Sequence, residues 1–224
     1  MNDIISVYRA SAAAMRARVG FDGTMLLFKK GDWTAGKDNV DMNGVELVAL
    51  PSELMHGWCK WEDKKPVDYR VGFIRDGYKP PSRGELGDND TSKWERRGSD
   101  RVDPWQFTRF LPLVDPESGQ IYVYSTTSKG GRFALADLQD AYADHLEKGA
   151  EGAAPRVALM SETGHGEYGE FEKPVLKIVD FVDPPPGLKP IRPPSPAAVA
   201  LEYGATPLIE HKPLSKIVDD DIPF

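Results

Sequence analysis

All five tryptophans of the chain, Trp33, Trp58, Trp61, Trp94 and Trp105, fall in its middle stretch, and lysines and arginines interleave with them. Flat rings beside cations suit one kind of chemistry. An unpaired nucleic-acid strand offers base faces that stack on aromatic rings, and phosphates whose counterions Lys and Arg replace. Neither interaction depends on base sequence. The candidate contacts are Lys29 and Lys30 near Trp33, then Trp58, Lys60 and Trp61, then Arg70 and Arg75, and finally Trp94 with Arg96 and Arg97. Trp61 and Trp94 stand in polar stretches with little apolar company. Trp105, after Asp103-Pro104, reads as a packing residue at a strand start. The competing reading for every tryptophan is ordinary core packing. Residues 60–101 hold eleven Lys/Arg against nine Asp/Glu, a local balance of +2 in a chain of net charge −7. That balance makes a basic face only if the acids point elsewhere.

Further candidates lie C-terminal to this stretch. Tyr122 and Tyr124 alternate around Val123 and share one face of a strand, either as stacking platforms or as core residues. Ser128-Lys129-Gly130-Gly131 precedes a helix, where backbone N–H groups and Lys129 suit a phosphate, or where the segment is simply a turn. It lacks the full phosphate-loop pattern. Signs of catalysis are thin. His56, His145, His165 and His211 are scattered, and His165-Gly166-Glu167 lies in a Gly-rich stretch that reads as a hairpin loop. Cys59 is the only thiol, so one chain can build neither a disulfide nor a Cys-rich zinc site. No nucleophile-elbow or zinc-protease motif is present. No cofactor, metal or enzymatic role is expected.

The elements that position these residues are mainly strands. Residues 25–30, 45–50, 54–61, 68–75, 107–114 and 120–126 have strand composition or period-2 alternation, with Tyr69, Val71 and Phe73 on one face. Asp115 to Gly119 supplies turn chemistry between two of them. A helix is predicted over 133–148, with Phe133, Leu135, Leu138, Tyr142 and Leu146 as its apolar stripe. Strands follow at 157–160 and 174–182. Residues 76–103 form a long excursion whose Gly and Pro content leaves little scope for regular structure. Residues 3–18 suit a short helix or a mobile arm. This order (strands, one helix, two more strands) predicts an OB-fold-like Greek-key barrel with insertions or a strand bent into two. Residues 1–182 are expected to be the body, 183–218 a Pro-rich, semi-rigid linker, and 219–224 a separate tip.

That tip reads Asp219-Asp220-Asp221-Ile222-Pro223-Phe224. It resembles the C-terminal tip of bacterial single-stranded DNA-binding proteins, over these six residues only. The body lacks the N-terminal pattern of the ordinary bacterial members and is similar to their divergent bacteriophage relatives. The resemblance implies a protein that coats and protects single-stranded DNA without sequence preference. Its tip would recruit replication, recombination and repair proteins: Phe224 fills an apolar pocket of the partner, Pro223 limits the freedom lost on docking, and the acids steer towards a cationic rim. A homo-oligomer is compatible with this. A single Cys, no apolar run near the roughly 20 residues of a membrane span, and an N-terminus too polar for a signal peptide lead to an expected cytoplasmic, non-membrane location. Two other classes stand beside this one. One is an adaptor or mimic that captures genome-maintenance proteins without binding DNA. The other is a metal-dependent DNA-processing enzyme.

Overall fold

The computed structural model describes residues 23–63, 65–149, 153–166, 169–186, 188 and 191. The arm at 3–18, most of the 183–218 segment and the 219–224 tip lie outside these. Among the described residues the chain is mainly β with one helix. In order the strands are β1 (Thr24–Lys29), β2 (Asp32–Ala35), β3 (Val40–Asp41), β4 (Glu46–Ala49), β5 (Met55–Glu62) and β6 (Lys65–Phe73). After the excursion come β7 (Glu95–Arg97), β8 (Asp100–Val102), β9 (Trp105–Val114) and β10 (Ile121–Thr126). Helix α1 (Lys129–Glu147) precedes β11 (Ala154–Gly166) and β12 (Gly169–Val182). Among the described residues no helix is long and apolar enough to cross a membrane.

Strand β9 is the spine. One of its edges pairs with β10. The other pairs first with β5, from Trp105 to Phe110, and then with β4 at Leu113 and Val114. The stretch 46–62 is therefore one long strand bent in the middle. Pro51 has no N–H to give a ladder, and a 3-10 turn at Pro51–Glu53 makes the bend. β1 joins β10 in parallel and turns back into β2 through Lys30-Gly31, both at positive φ (55° and 95°) as a tight hairpin requires. The main sheet runs β12-β11-β4-β9-β10-β1-β2-β3, with β6 added outside β5. It curls until Trp33 Nε1 of β2 donates to Met160 O of β11 at 2.8 Å. No ladder joins β2 or β3 to β11 or β12 among the described residues, so the sheet stays open.

The curl encloses the core. Leu26, Trp33, Leu47, Leu111, Leu113, Tyr124, Val157 and Leu159 meet Leu135 and Leu138 of α1 there. A second cluster lies inside the β5–β6 arm, where Met55, Phe73 and Phe110 pack with Tyr69 and Val71. Packing continues past β12: Leu188 and Ile191 sit on Val48, Val114 and Ala154.

Three expectations change. The helix starts at Lys129, four residues before 133, because Ser128 caps it by accepting from Gly131 N at 3.0 Å. Its buried side is Gly131, Ala134, Leu135 and Leu138, while Phe133 and Leu146 face solvent. β11 and β12 run on through the predicted loop as a long hairpin, with Gly166 opposite Gly169. The excursion is ordered: it holds two 3-10 turns, Arg83–Leu86 and Thr91–Lys93, and the β7–β8 ribbon.

Candidate nucleic-acid interface

Alternation along β5 sends Met55, Gly57 and Cys59 inward and His56, Trp58 and Lys60 outward. Burial of the Cys59 thiol pushes its pKa up to about 12, which leaves it unreactive. On β9, Thr108 and Phe110 go inward, while Phe107 and Arg109 stay half-buried on the outer face. The ladders align these residues in rows. His56 stands between Gly72 and Arg109, and Trp58 between Arg70 and Phe107. The rings touch edge to face: Trp58 and Phe107 at 5.3 Å, His56 and Phe107 at 5.9 Å, His56 and Tyr78 at 6.1 Å.

A short segment after β6 borders this cluster. Gly72 is bare because a Cβ there would stand 2.4 Å from the Tyr78 ring, so the ring lies on the strand backbone. Trp58 Nε1 donates to Pro81 O at 2.9 Å, and His56 Nε2 donates to Tyr78 O at 2.9 Å. Two cations flank the rings. Arg70 is exposed and pairs with Asp68 at 3.1 Å. The Arg109 guanidinium lies 5.3 Å from the centre of the Phe107 ring.

A second constellation joins Lys60, Trp61 and Trp94. A register shift between Lys60 and Trp61 turns both side chains into a groove of about 540 Å³ between the end of β5 and the ordered excursion. Arg83 organises the far wall. Its Nε and Nη2 grip Asp103, each at 2.7 Å, and its remaining N–H groups reach Gly87 O, Asp88 O and Asn89 Oδ1. Trp94 is held by Nε1 on Asp88 O at 2.7 Å, with the Arg83 guanidinium 5.7 Å from its ring. Burial opposes ionisation of Asp88. The Trp105 indole, Lys60 and Arg83 outweigh it and hold the carboxyl below its usual value. Lys60 in turn pairs with Glu62 at 2.8 Å and Asp88 at 3.2 Å. Among the described residues the groove is lined by Glu62, Asp63, Asp88, Asp90, Glu95 and Asp103 against Lys60 and Lys93. That excess of carboxylates in the lining disfavours phosphate.

The structure corrects two predicted contacts. Trp33 is fully buried, edge-on to Phe28 at 5.1 Å and Tyr124 at 4.8 Å. Tyr124 is itself core, its hydroxyl pushed up to about 12 by burial. Tyr122 is partly buried on the same cluster. Neither Trp33 nor Tyr124 can receive a base. Trp105 is 4% exposed, as a packing residue should be. Lys29 and Lys30 are exposed at the β1–β2 turn. Arg75 ion-pairs with Glu53 and Asp76 over the Phe73 ring. Arg96 is exposed on β7; the side chain of Arg97 is outside the described set. Lys129 begins α1 beside Phe133 and lines a separate groove of about 560 Å³ with Phe171 and Lys173. Of the predicted contacts, Trp58 and Arg70 stand in one cross-strand row, and Lys60, Trp61 and Trp94 line the groove together.

His56, Tyr78, Phe107 and Arg109 escaped the sequence reading. The period of β9 carried a signal for two of them, since Phe107 and Arg109 alternate with Thr108 and Phe110. No group of three or more His, Cys, Asp or Glu suited to a metal occurs among the described residues. Comparison with protein-family models, curated proteins and solved structures gave no match.

Proposed function

We propose that the β6–β5–β9 face binds single-stranded DNA without sequence preference, and that the 219–224 segment recruits proteins that maintain the genome. The observation that carries this reading is the half-buried ring cluster of Trp58, Phe107 and His56, flanked by Arg70 and Arg109 on one sheet face. Rings of this kind stack bases of any identity, and each stacked base contributes about 1–3 kcal/mol. The body is proposed to be an OB-like barrel left open at one seam. Support for that comes from the helix between β10 and β11, the bent β4–β5 strand and the approach of Trp33 to Met160.

Titration with oligo-dT, read by tryptophan fluorescence over a range of salt, tests the proposal. Quenching with a steep salt dependence is expected. Trp58→Ala should weaken binding at least tenfold, while Trp61→Ala and Trp94→Ala change it little, because their groove is acidic. Absence of quenching at low ionic strength would sink the DNA reading. A second reading is favoured by one observation, the carboxylate-lined groove in a chain of net charge −7. In it the protein is an adaptor that uses the 219–224 segment and binds no DNA. The same titration decides between them.

A further inference from the structure

We infer that the acidic groove between β5 and the 76–103 excursion seats residues 4–18 of a second copy of this chain. Trp61 and Trp94 stand in the lining of this groove of about 540 Å³, with six carboxylates against two lysines among the described residues. Asp63 in that lining is exposed and pairs with no cation among them. Indole rings beside carboxylates suit a guanidinium, whose flat face stacks on the ring while its N–H groups meet oxygen. The structure already seats one in this way. The Arg83 guanidinium lies 5.7 Å from the centre of the Trp94 ring, and its Nε and Nη2 grip Asp103.

Residues 4–18 have the matching chemistry. They contain Arg9, Arg16 and Arg18 and no acid, a balance of +3 in a chain of −7. No other acid-free stretch of the sequence carries three cations. Ile4, Ile5, Val7 and Tyr8 add apolar side chains for the indole faces. Reach assigns the segment to a neighbour. β1 starts beside Tyr122, itself opposite Leu113, whereas the groove meets β9 at Gln106. Seven residues of strand span roughly 24 Å. Arg18 stands five residues before Gly23, where the described chain begins, and so reaches at most about 18 Å from it. Arg18 falls short of its own groove, and the three arginines enter one groove together only in another copy. Such a contact is heterologous: each copy gives its segment to one neighbour and its groove to another, which builds an open row unless the rotation closes it. An open row suits cooperative coating of a strand. That use rests on the single-strand reading; the contact between copies stands without it.

The test compares the full wild-type chain with the triple variant R9Q/R16Q/R18Q and with two groove variants, D63K and W94A. In sedimentation velocity at low salt, wild-type assemblies should grow with concentration and dissolve as salt is added. No variant alone should grow. Mixing the triple variant with D63K should restore association, because one supplies a groove and the other a segment. A synthetic peptide of residues 4–18, read by tryptophan fluorescence, should bind the triple variant at least tenfold more tightly than D63K. On poly-dT the wild type should bind cooperatively and D63K should not, although D63K holds a short oligo-dT no less tightly. D63K alters an exposed turn, so it decides the groove arm if W94A fails to fold. Growth of the triple variant equal to that of the wild type overturns the contact, as does a peptide that fails to bind, and either leaves DNA binding standing. A wild type that stays monomeric while the triple variant takes the peptide also overturns it, placing the segment in its own groove. Assembly without oligo-dT binding keeps the contact and removes the single-strand reading.

Discussion

Gly131 has no room for a side chain. A Cβ there would meet Thr126 Oγ1 at 2.1 Å and the Tyr124 hydroxyl at 2.6 Å, both on buried residues that cannot swing aside. Overpacking of this kind costs about 1–3 kcal/mol, against at most about 1 kcal/mol that Ala gains over Gly in a helix. Gly131→Ala should therefore lower Tm by several degrees in a melting experiment, whereas Gly84→Ala, whose Cβ meets nothing within 4 Å, should not. Equal Tm for the two variants would show that α1 is not seated on β10 as described. The same logic separates the tryptophans. Trp33 is a structural residue, and its replacement by Ala removes a filled core volume, at about 3–5 kcal/mol. Trp58 keeps part of its ring in solvent, and its replacement should act on ligand more than on stability.

At the scale of elements, the 76–103 excursion is held by polar geometry around one cation. Arg83 ties Asp103 at the start of β9 to Gly87, Asp88 and Asn89, and Asp88 ties Trp105 and Lys60. Arg83→Gln should leave the main melting transition nearly in place, because the ladders of β5, β6 and β9 do not involve it. Protease cleavage within residues 83–103 should become much faster. Unchanged cleavage would refute the role of Arg83. Acid should produce the same loosening. The folded pKa of Asp88 lies below its ordinary value of 3.8, so the unfolded segment binds the proton more readily. Its contribution is complete above that ordinary value and is lost as pH falls through the folded one. Cleavage measured between about pH 5 and 2 should rise at the acid end, and Asp88→Asn should flatten that profile.

For the whole molecule, charge distribution matters more than net charge. The chain carries −7 overall, its Lys60–Trp94 groove is acidic among the described residues, and the Trp58–Phe107 face has Arg70 and Arg109 beside it. Single-stranded DNA should bind the second face and avoid the first. Deleting 219–224 removes three aspartates, taking the chain from −7 to −4 before chain-end groups are counted. Affinity for oligo-dT should be unchanged or higher at low salt, and genome-maintenance proteins retained by the full chain in a pull-down should be lost. A large fall in DNA affinity on deletion would contradict the assignment of 219–224 to partner binding.

Much of the local structure was legible in the residues. The turn at Asp115–Gly119 formed between the strands that flank it, and Asp115 Oδ1 accepts from Glu117 N at 2.9 Å. Tyr69, Val71 and Phe73 share a buried face as their alternation requires. The 46–62 stretch, with Pro51 in it, became one strand in two pieces. The site was much less legible. Trp33 and Trp58 look alike in sequence, each near lysines and a glycine, yet one is core and the other rims a ring cluster. Period and composition report which side of its own strand a residue takes, because that is fixed by the pleat. Whether that side is covered depends on strands brought in from far along the chain. Only the pairing of β5 with both β6 and β9, and the seating of α1 on β10, decided which rings and which arginines share a surface.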